Sequence, residues 1–363
     1  MNVSLKIVKP FTRGRRFCLA GMLALLALAW SGAAAAAPPA VINLQARPAN
    51  IIAKEKGFLK EEFDSIGVKE VNLVATGTAE LYGAESAAVA GGALAVAHRM
   101  IYPSVVHRAN GLDVVLVWVS EPSNRYRTPV LAKKGNEAVR SVADLDGKKF
   151  GGARISCYWA APLEILDKAG LPLDTRTRRG RVRHETIDNP AVMISALMSG
   201  ATDATAGHLT DPRIVGAWLS GEMEVIGESP DDGIYVNHSG RVTIVAQRDF
   251  AEKYPEVIRA FLLARERGRH WAADHPNEAA AIIARELRLP VEAALFLVTH
   301  VGQQDFMGGE PNADRAVDSI KTFQAWYAEH GDDILGERRL TDEQVEAFVA
   351  RQFFVGGQYS IYK

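Results

Sequence analysis

Cysteine is almost absent from this 363-residue chain. It occurs twice, and Cys18 lies in the N-terminal segment, so Cys157 alone remains in the rest of the chain. One cysteine cannot form an internal disulfide, and it excludes a zinc site built from several cysteines. The nine histidines include no H-x₃-H or H-E-x-x-H pair. The sequence therefore predicts no metal and no cofactor, and a chain stabilised by its hydrophobic core.

Negative charge outnumbers positive charge after residue 37. Five of the 42 basic residues and none of the 43 acidic residues lie in the first 37 positions, which leaves 37 basic and 43 acidic residues and a formal charge of -6. A nucleic-acid partner would favour a basic surface. The composition therefore argues against nucleic-acid binding and suits a secreted globular protein.

The N-terminus has the pattern of a secretory signal peptide. A basic stretch precedes an apolar run from Phe17 to Trp30, and small residues lead to Pro38. The apolar run is shorter than the roughly 20 residues that a membrane-spanning helix needs. We predict that residues 1–37 are a signal peptide cleaved near Ala36 or Ala37. An uncleaved N-terminal anchor is the alternative.

The rest of the chain alternates short apolar strands with helical stretches, which is typical of α/β proteins. We predict a first unit over residues 38–125, a second unit inserted over 126–241, and a return to the first unit over 242–363. The two chain crossings, near 121–128 and 239–246, would form a hinge, and the cleft between the units is the expected ligand site. The predicted strands are Val41–Ala46, Val71–Ala75, Ala93–Ala97, Val114–Val119, Thr128–Ala132, Lys149–Ala153, Arg183–Ile187, Asp203–Ala206, Met223–Ile226 and Arg241–Ala246.

Four ordered stretches resemble a known family. Ala46–Phe63 contains A-K-E-K-G-F, Ser141–Trp159 contains D-L-D-G-K-K, Asp188–Pro212 contains A-L-M-S-G-A-T-D-A, and Val242–Leu289 contains two helical segments, R-D-F-A-E-K-Y-P and H-P-N-E-A-A-A. They are similar to the nitrate/sulfonate/taurine class of periplasmic binding proteins of ABC importers, which includes relatives that bind thiamine precursors.

The resemblance implies a two-lobed α/β fold of the type II periplasmic binding protein class. It also implies a monomeric, non-enzymatic protein of the periplasm. Such a protein captures a small anionic solute such as a sulfonate, nitrate or carboxylate by lobe closure and delivers it to a membrane permease.

In lobe one, candidate ligand residues lie where strands end. Arg47 follows the first strand, and its guanidinium can pair with a carboxylate or sulfonate. Asn50 can donate to the same ligand or cap the helix predicted from Ile51. Gly77 and Thr78 lead into the next predicted helix, where unpaired backbone N–H groups suit an anion, although a simple helix cap is equally compatible.

In lobe two, Ser156 opens a predicted helix and can cap it or donate to an anion. We expect one of Tyr158 and Trp159 to line the cleft and the other to lie in the core. Cys157 is either a small residue lining the pocket or, at a helix N-terminus, a nucleophile. The other candidates at strand ends are Asn189, which can equally be a helix cap, and His208.

An alternative reading is an enzyme of the same fold, similar to a desulfinase, with Cys157 as the nucleophile. A ligand-presenting chemosensory protein is a third. The basic run from Arg176 to Arg183 can dock on an acidic transporter face or form a solvated surface.

Overall fold

The computed structural model describes residues 36–75, 85–122, 128–209, 211–299 and 308–354. Ten strands run through these residues in the order β1 Val41–Gln45, β2 Glu70–Val74, β3 Val96–Met100, β4 Val114–Val119, β5 Val130–Lys133, β6 Lys149–Gly152, β7 Arg183–Thr186, β8 Ala204–Ala206, β9 Met223–Gly227 and β10 Val242–Gln247.

The α-helices of the described residues are α1 Pro48–Glu55, α2 Phe58–Asp64, α3 Glu85–Ala90, α4 Ile101–Ala109, α5 Cys157–Lys168, α6 Pro190–Ser199, α7 Pro212–Leu219, α8 Arg248–Lys253, α9 Pro255–Asp274, α10 Pro276–Leu287, α11 Val291–Thr299, α12 Ala313–Glu329, α13 Asp333–Arg338 and α14 Asp342–Phe348. None of them is both long and apolar enough to cross a membrane.

Lobe one is built on strands from both ends of the described chain. β1 and β2 pair in parallel, while β10 lies between β3 and β4 and is antiparallel to both. The Ala95 amide donates to the Asn43 carbonyl at 3.0 Å, so the start of β3 adjoins β1. Because β10 enters this sheet after more than one hundred residues, the intervening segment forms the second lobe.

Lobe two is a five-stranded sheet in the order β7-β6-β8-β5-β9. β6 is parallel to β7 and β8, and β5 runs antiparallel to β8 and β9. Parallel strands place their carboxyl ends at the same edge of the sheet, where ligands bind in open α/β folds. The architecture confirms the predicted two-lobed α/β fold.

The structure changes two details of the predicted lobe-one elements. The first helix starts at Pro48, where proline suits the first helical position, and Gly57 in a left-handed conformation (φ 80°) separates α1 from α2. β3 starts at Val96 because the turn after α3 continues to Leu94, whose amide donates to the Ala88 carbonyl.

The return segment packs on both lobes. One buried core joins lobe-one residues, lobe-two residues and α12, including Val105, Phe150, Ile320 and Phe323. A separate core beneath the lobe-two sheet includes Leu297 of α11. The lobe boundaries at 125 and 241 remain a prediction, and the C-terminal helices contribute to the stability of both lobes.

A buried carboxylate joins the lobes at this core. Asp332 is 1% exposed, and it accepts hydrogen bonds from the Tyr102 hydroxyl of α4 and, at 2.8 Å, from the Trp159 Nε1 of α5. Its other oxygen accepts from the Ile334 and Leu335 amides, both at 2.9 Å, and so caps α13. Burial and Asp332 raise the pKa of Tyr102 well above its ordinary value, which keeps the hydroxyl a donor.

Candidate functional site

A cavity of about 600 Å³ is lined by both lobes. The lobe-one wall comes from the end of β1, from β3 and from α4, and the lobe-two wall comes from the loop before α5 and the ends of β7 and β8. Its lining brings together five residues that the sequence singled out, namely Arg47, Ser156, Cys157, Tyr158 and His208.

Arg47 is one of two arginines that the lobe-one wall contributes to the cavity lining. It stands at the N-cap of α1 in extended backbone (φ -104°), so its side chain leaves the end of β1. Its Nη2 donates to the His98 carbonyl at 3.2 Å. Its Nε is buried and has no hydrogen-bond partner among the described residues. The Arg47 side chain lines the cavity, where an anionic ligand can pair with the guanidinium and offset the cost of its partial burial.

The lobe-two wall is the N-terminus of α5. The Ser156 hydroxyl accepts from the Tyr158 amide at 3.1 Å and donates to the Ala153 carbonyl at 2.7 Å. The capping role predicted for Ser156 is therefore present. The other role, donation to an anion, is not available in this geometry because the one hydroxyl proton already has an acceptor.

Cys157 and His208 meet on the same wall. The Cys157 Sγ contacts the His208 Nε2, and the His208 Nδ1 lies 3.0 Å from the Thr128 Oγ1. Thr128 also hydrogen-bonds the Tyr235 hydroxyl, and the Tyr158 ring lies 5.1 Å from the imidazole, centroid to centroid. The imidazole is thus held from its far side and aimed at the thiol.

The other lining arginines already have local ion pairs. Arg99 Nη1 lies 3.6 Å from the buried Glu85 carboxylate and 3.0 Å from the His107 Nε2. Burial, and then Arg99, lowers the pKa of His107 to about 4, so this imidazole is neutral at neutral pH. Arg154 is paired with Asp333, outside the cavity lining. Arg47 is therefore the lining cation best placed for a ligand.

Two carboxylates complete the lining on the lobe-two side. Asp211 caps α7 and pairs with Arg213 at 2.9 Å. Asp188 follows β7 and is exposed. Asp188 is solvated and Asp211 is paired, while the hydrogen bond of Arg47 is to the neutral His98 carbonyl, so the positive charge of Arg47 favours a negative group in the cavity.

Three predicted site residues do not line the cavity. Trp159 is fully buried, and its Nε1 donates to the Asp332 carboxylate. Trp159 is therefore the aromatic in the core, and Tyr158, which is 1% exposed, is the one that lines the cavity. Asn50 is buried, and its side-chain amide donates to the Gln45 carbonyl at 2.9 Å. It is the third residue of α1, the helix that it was expected to cap. Asn189 caps α6 through the Ala191 and Val192 amides. Gly77 and Thr78 lie outside the described residues.

Several lining residues were missed from the sequence. Arg154 and Asp188 follow β6 and β7, so the strand-end rule that found Arg47 could have found them. Glu85 and His107 gave no such signal, because they lie in the helices α3 and α4, and Arg99 lies within β3.

The basic run after α5 does not form an unpaired patch. Arg176 pairs with Asp333 and Glu337, Arg178 with Asp167 at 2.6 Å, and Arg181 with Asp146. These local ion pairs favour the interpretation of the run as an ordinary solvated surface.

The family model described as NMT1/THI5 like matches residues 49–279, more than half of the chain. The chain belongs to the NMT1/THI5-like family. The match includes the whole of the inserted lobe and the cavity-lining residues of both lobes except Arg47. A search of curated proteins by sequence finds no match.

Solved structures of this fold are similar to the chain over nearly their whole length. The alkanesulfonate-binding protein SsuA from Xanthomonas axonopodis pv. citri, bound to MOPS, shares 19% identity with a TM-score of 0.68, covering 85% of this chain and 99% of its own. The aliphatic sulphonate-binding SsuA from Escherichia coli shares 18% identity with a TM-score of 0.67, covering 87% and 99%. The desulfurization enzyme DSZB shares 15% identity with a TM-score of 0.59, covering 86% and 97%.

Proposed function

We propose that this protein is the periplasmic solute-binding component of an ABC importer. The observation that carries the proposal is the cavity between two lobes, whose lobe-one wall includes the Arg47 guanidinium. A ligand that satisfies Arg47 and also touches the lobe-two wall stabilises the closed arrangement of the lobes.

The solute is a small anion. Arg47 suits a sulfonate or carboxylate, which accepts two parallel N–H donors, and the N-terminus of α5 adds a favourable dipole. The similar SsuA protein that is bound to MOPS, itself an alkanesulfonate, supports this class.

Export and delivery follow from the same proposal. The N-terminal pattern would direct the chain through the inner membrane, with cleavage near Ala36 or Ala37. The closed, loaded monomer would then dock on a membrane permease. The lobe boundaries proposed from the sequence, 38–125 with 242–363 and 126–241, place the chain crossings where such closure requires a hinge.

A thermal-shift screen tests the proposal. The protein is refolded to remove carried-over solute and heated with alkyl and aryl sulfonates including MOPS, nitrate, aromatic carboxylates and pyrimidines. A ligand at 100 times its Kd adds about 2.7 kcal/mol to the free energy of unfolding, which raises Tm visibly. A shift with an anion that is recovered unchanged supports the proposal. The absence of any shift across the anionic panel would argue against it.

An enzyme on this fold is the second candidate, because the Cys157 Sγ contacts an oriented imidazole and the similar DSZB is an enzyme. Incubation with sulfinates and sulfonates, followed by product analysis, separates the two. An enzyme forms product, and the Cys157→Ser variant does not. A binding protein forms product in neither form.

A further inference from the structure

The cavity holds a pair of groups that capture of an anion does not require, namely the Cys157 thiol and the His208 imidazole. We propose that Cys157 is an activated thiol that reacts with small anionic disulfides, and that the resulting mixed disulfide occupies the cavity and prevents solute binding. The reactivity of the thiol stands whatever the solute is. The blocking of solute binding and the supply of disulfides in an oxidising compartment rest on the proposed function.

The surroundings of Cys157 favour the thiolate. Cys157 is the first residue of α5, a helix of twelve residues, and the positive end of a helix dipole stabilises a negative charge at this position. The His208 Nε2 contacts its Sγ and can take the proton. The Thr128 hydroxyl, 3.0 Å from the His208 Nδ1, can accept the other ring proton and so fix the tautomer that leaves Nε2 basic. Activated thiols in general combine a nucleophile, a base and a group that orients the base. Cys157, His208 and Thr128 have these three positions here.

Access and charge select the reagent. Cys157 is 5% exposed and lines a cavity of about 600 Å³, so a small disulfide can enter while a protein thiol cannot. Arg47 lines the same cavity and favours a reagent with carboxylates. Cys157 is the only cysteine of the described residues. No second thiol there can displace the adduct, which lasts until an external thiol reduces it.

The reaction is a thiol–disulfide exchange. His208 takes the Sγ proton, and the Cys157 thiolate attacks one sulfur of the disulfide. A new S–S bond forms, the original S–S bond breaks, and the second sulfur leaves as a thiolate that His208 or solvent protonates. The disulfide is the oxidant, so no further reagent is required.

Other groups around the pair affect its titration. Arg47, Arg99 and Arg154 favour a thiolate, whereas the carboxylates of Glu85, Asp188 and Asp211 oppose it. The ion pairs of Glu85 with Arg99, of Asp211 with Arg213 and of Arg154 with Asp333 largely cancel these contributions, which leaves Arg47 in favour of the thiolate and the exposed Asp188 against it. The neutral His107 contributes little.

The rate of adduct formation against pH tests the proposal. The purified protein is mixed with 3,3′-dithiodipropionate, a dianion, or cystamine, a dication, and the adduct on the Cys157 peptide is quantified by mass spectrometry. An ordinary cysteine is only about 0.3% ionised at pH 6, and a thiol that is held largely as a thiolate has a net advantage of about tenfold there once its lower nucleophilicity is taken into account. We expect the wild type to react about tenfold faster than His208→Gln at pH 6, and faster with the dianion than with the dication.

The positioning role of Thr128 is tested in the same assay. Thr128→Val removes the hydroxyl at nearly constant volume and is expected to slow the reaction at pH 6, and Thr128→Ser is expected to restore it. Circular dichroism and the rate for each variant in denaturant control for folding.

Equal pH profiles for the wild type and His208→Gln would overturn the proposal, as would a native thiol slower than the same thiol in denaturant. Solute binding is read separately, by thermal shift with and without the adduct. An activated thiol in a protein that binds no anion would refute the proposed function alone. An unchanged anion shift after full modification would refute the blocking role.

Discussion

Asp332 supports the junction of the two lobes, and its removal should be among the most damaging changes in the molecule. Asp332→Ala leaves the Tyr102 hydroxyl and the Trp159 Nε1 buried without an acceptor and uncaps α13. Each unpaired donor costs about 1–3 kcal/mol, and the lost cap about 0.5–2 kcal/mol. We expect the free energy of unfolding to fall by about 3–8 kcal/mol, much of the total stability of a globular protein.

Urea denaturation followed by circular dichroism measures the change. Asp342→Ala is the matched control, since Asp342 is an exposed helix-start carboxylate with one ion pair, 3.4 Å from Lys321, and its loss should cost less than about 1 kcal/mol. Asp332→Asn keeps one acceptor and should fall between the two. If Asp332→Ala were as stable as Asp342→Ala, the hydrogen bonds at the junction would not have the energetic role assigned to them.

Two further substitutions probe the lobe-two sheet, and a third, in α7, is the control for one of them. Burial, and then Arg154, lowers the pKa of His184 to about 4, whereas an unfolded histidine titrates near 6.5. The unfolded chain therefore binds more protons between these two pH values, and the free energy of unfolding falls as the pH drops from about 6.5 to 4. His184→Gln should flatten that part of a curve of stability against pH. Gly152→Ala would place a Cβ 2.7 Å from the Tyr158 carbonyl and should lower stability by about 1–3 kcal/mol in urea denaturation. Gly216→Ala, within α7 and with nothing within 4 Å, should instead raise it by about 0.5–1 kcal/mol. A pH curve unchanged by His184→Gln, or equal effects of the two glycine substitutions, would contradict these assignments.

Local patterns in the sequence predicted the local structure well. Thr341 and Gln344 have the spacing of a capping box, and the structure contains it, with the Thr341 amide donating to the Gln344 Oε1 at 2.9 Å. Ser141 and Asp144 have the same spacing and form a second one. Both depend on residues three positions apart. The strand-end rule placed Arg47 and His208 in the cavity because it depends only on strand order and direction.

The roles that depend on distant residues could not be predicted in the same way. Trp159 was a candidate for the cleft, and its burial is decided by Asp332, 173 positions away. The pairing of Cys157 with His208 spans 51 positions, and the sequence placed both at the cleft without bringing them into contact. Apolar periodicity shows which side chains are buried in a helix or strand, but the partner of a polar group is set by tertiary packing.

The central claim is that Arg47 holds a small anion in the cavity between the lobes, and isothermal titration calorimetry tests it most directly. The anion with the largest thermal shift is titrated into the wild type, Arg47→Gln and Arg179→Gln, since Arg179 is an exposed arginine outside the cavity lining. Loss of charged hydrogen bonds worth about 1.5–3 kcal/mol should weaken binding by roughly 10- to 150-fold in Arg47→Gln, and Arg179→Gln should bind like the wild type. Equal affinity in all three proteins would contradict the account.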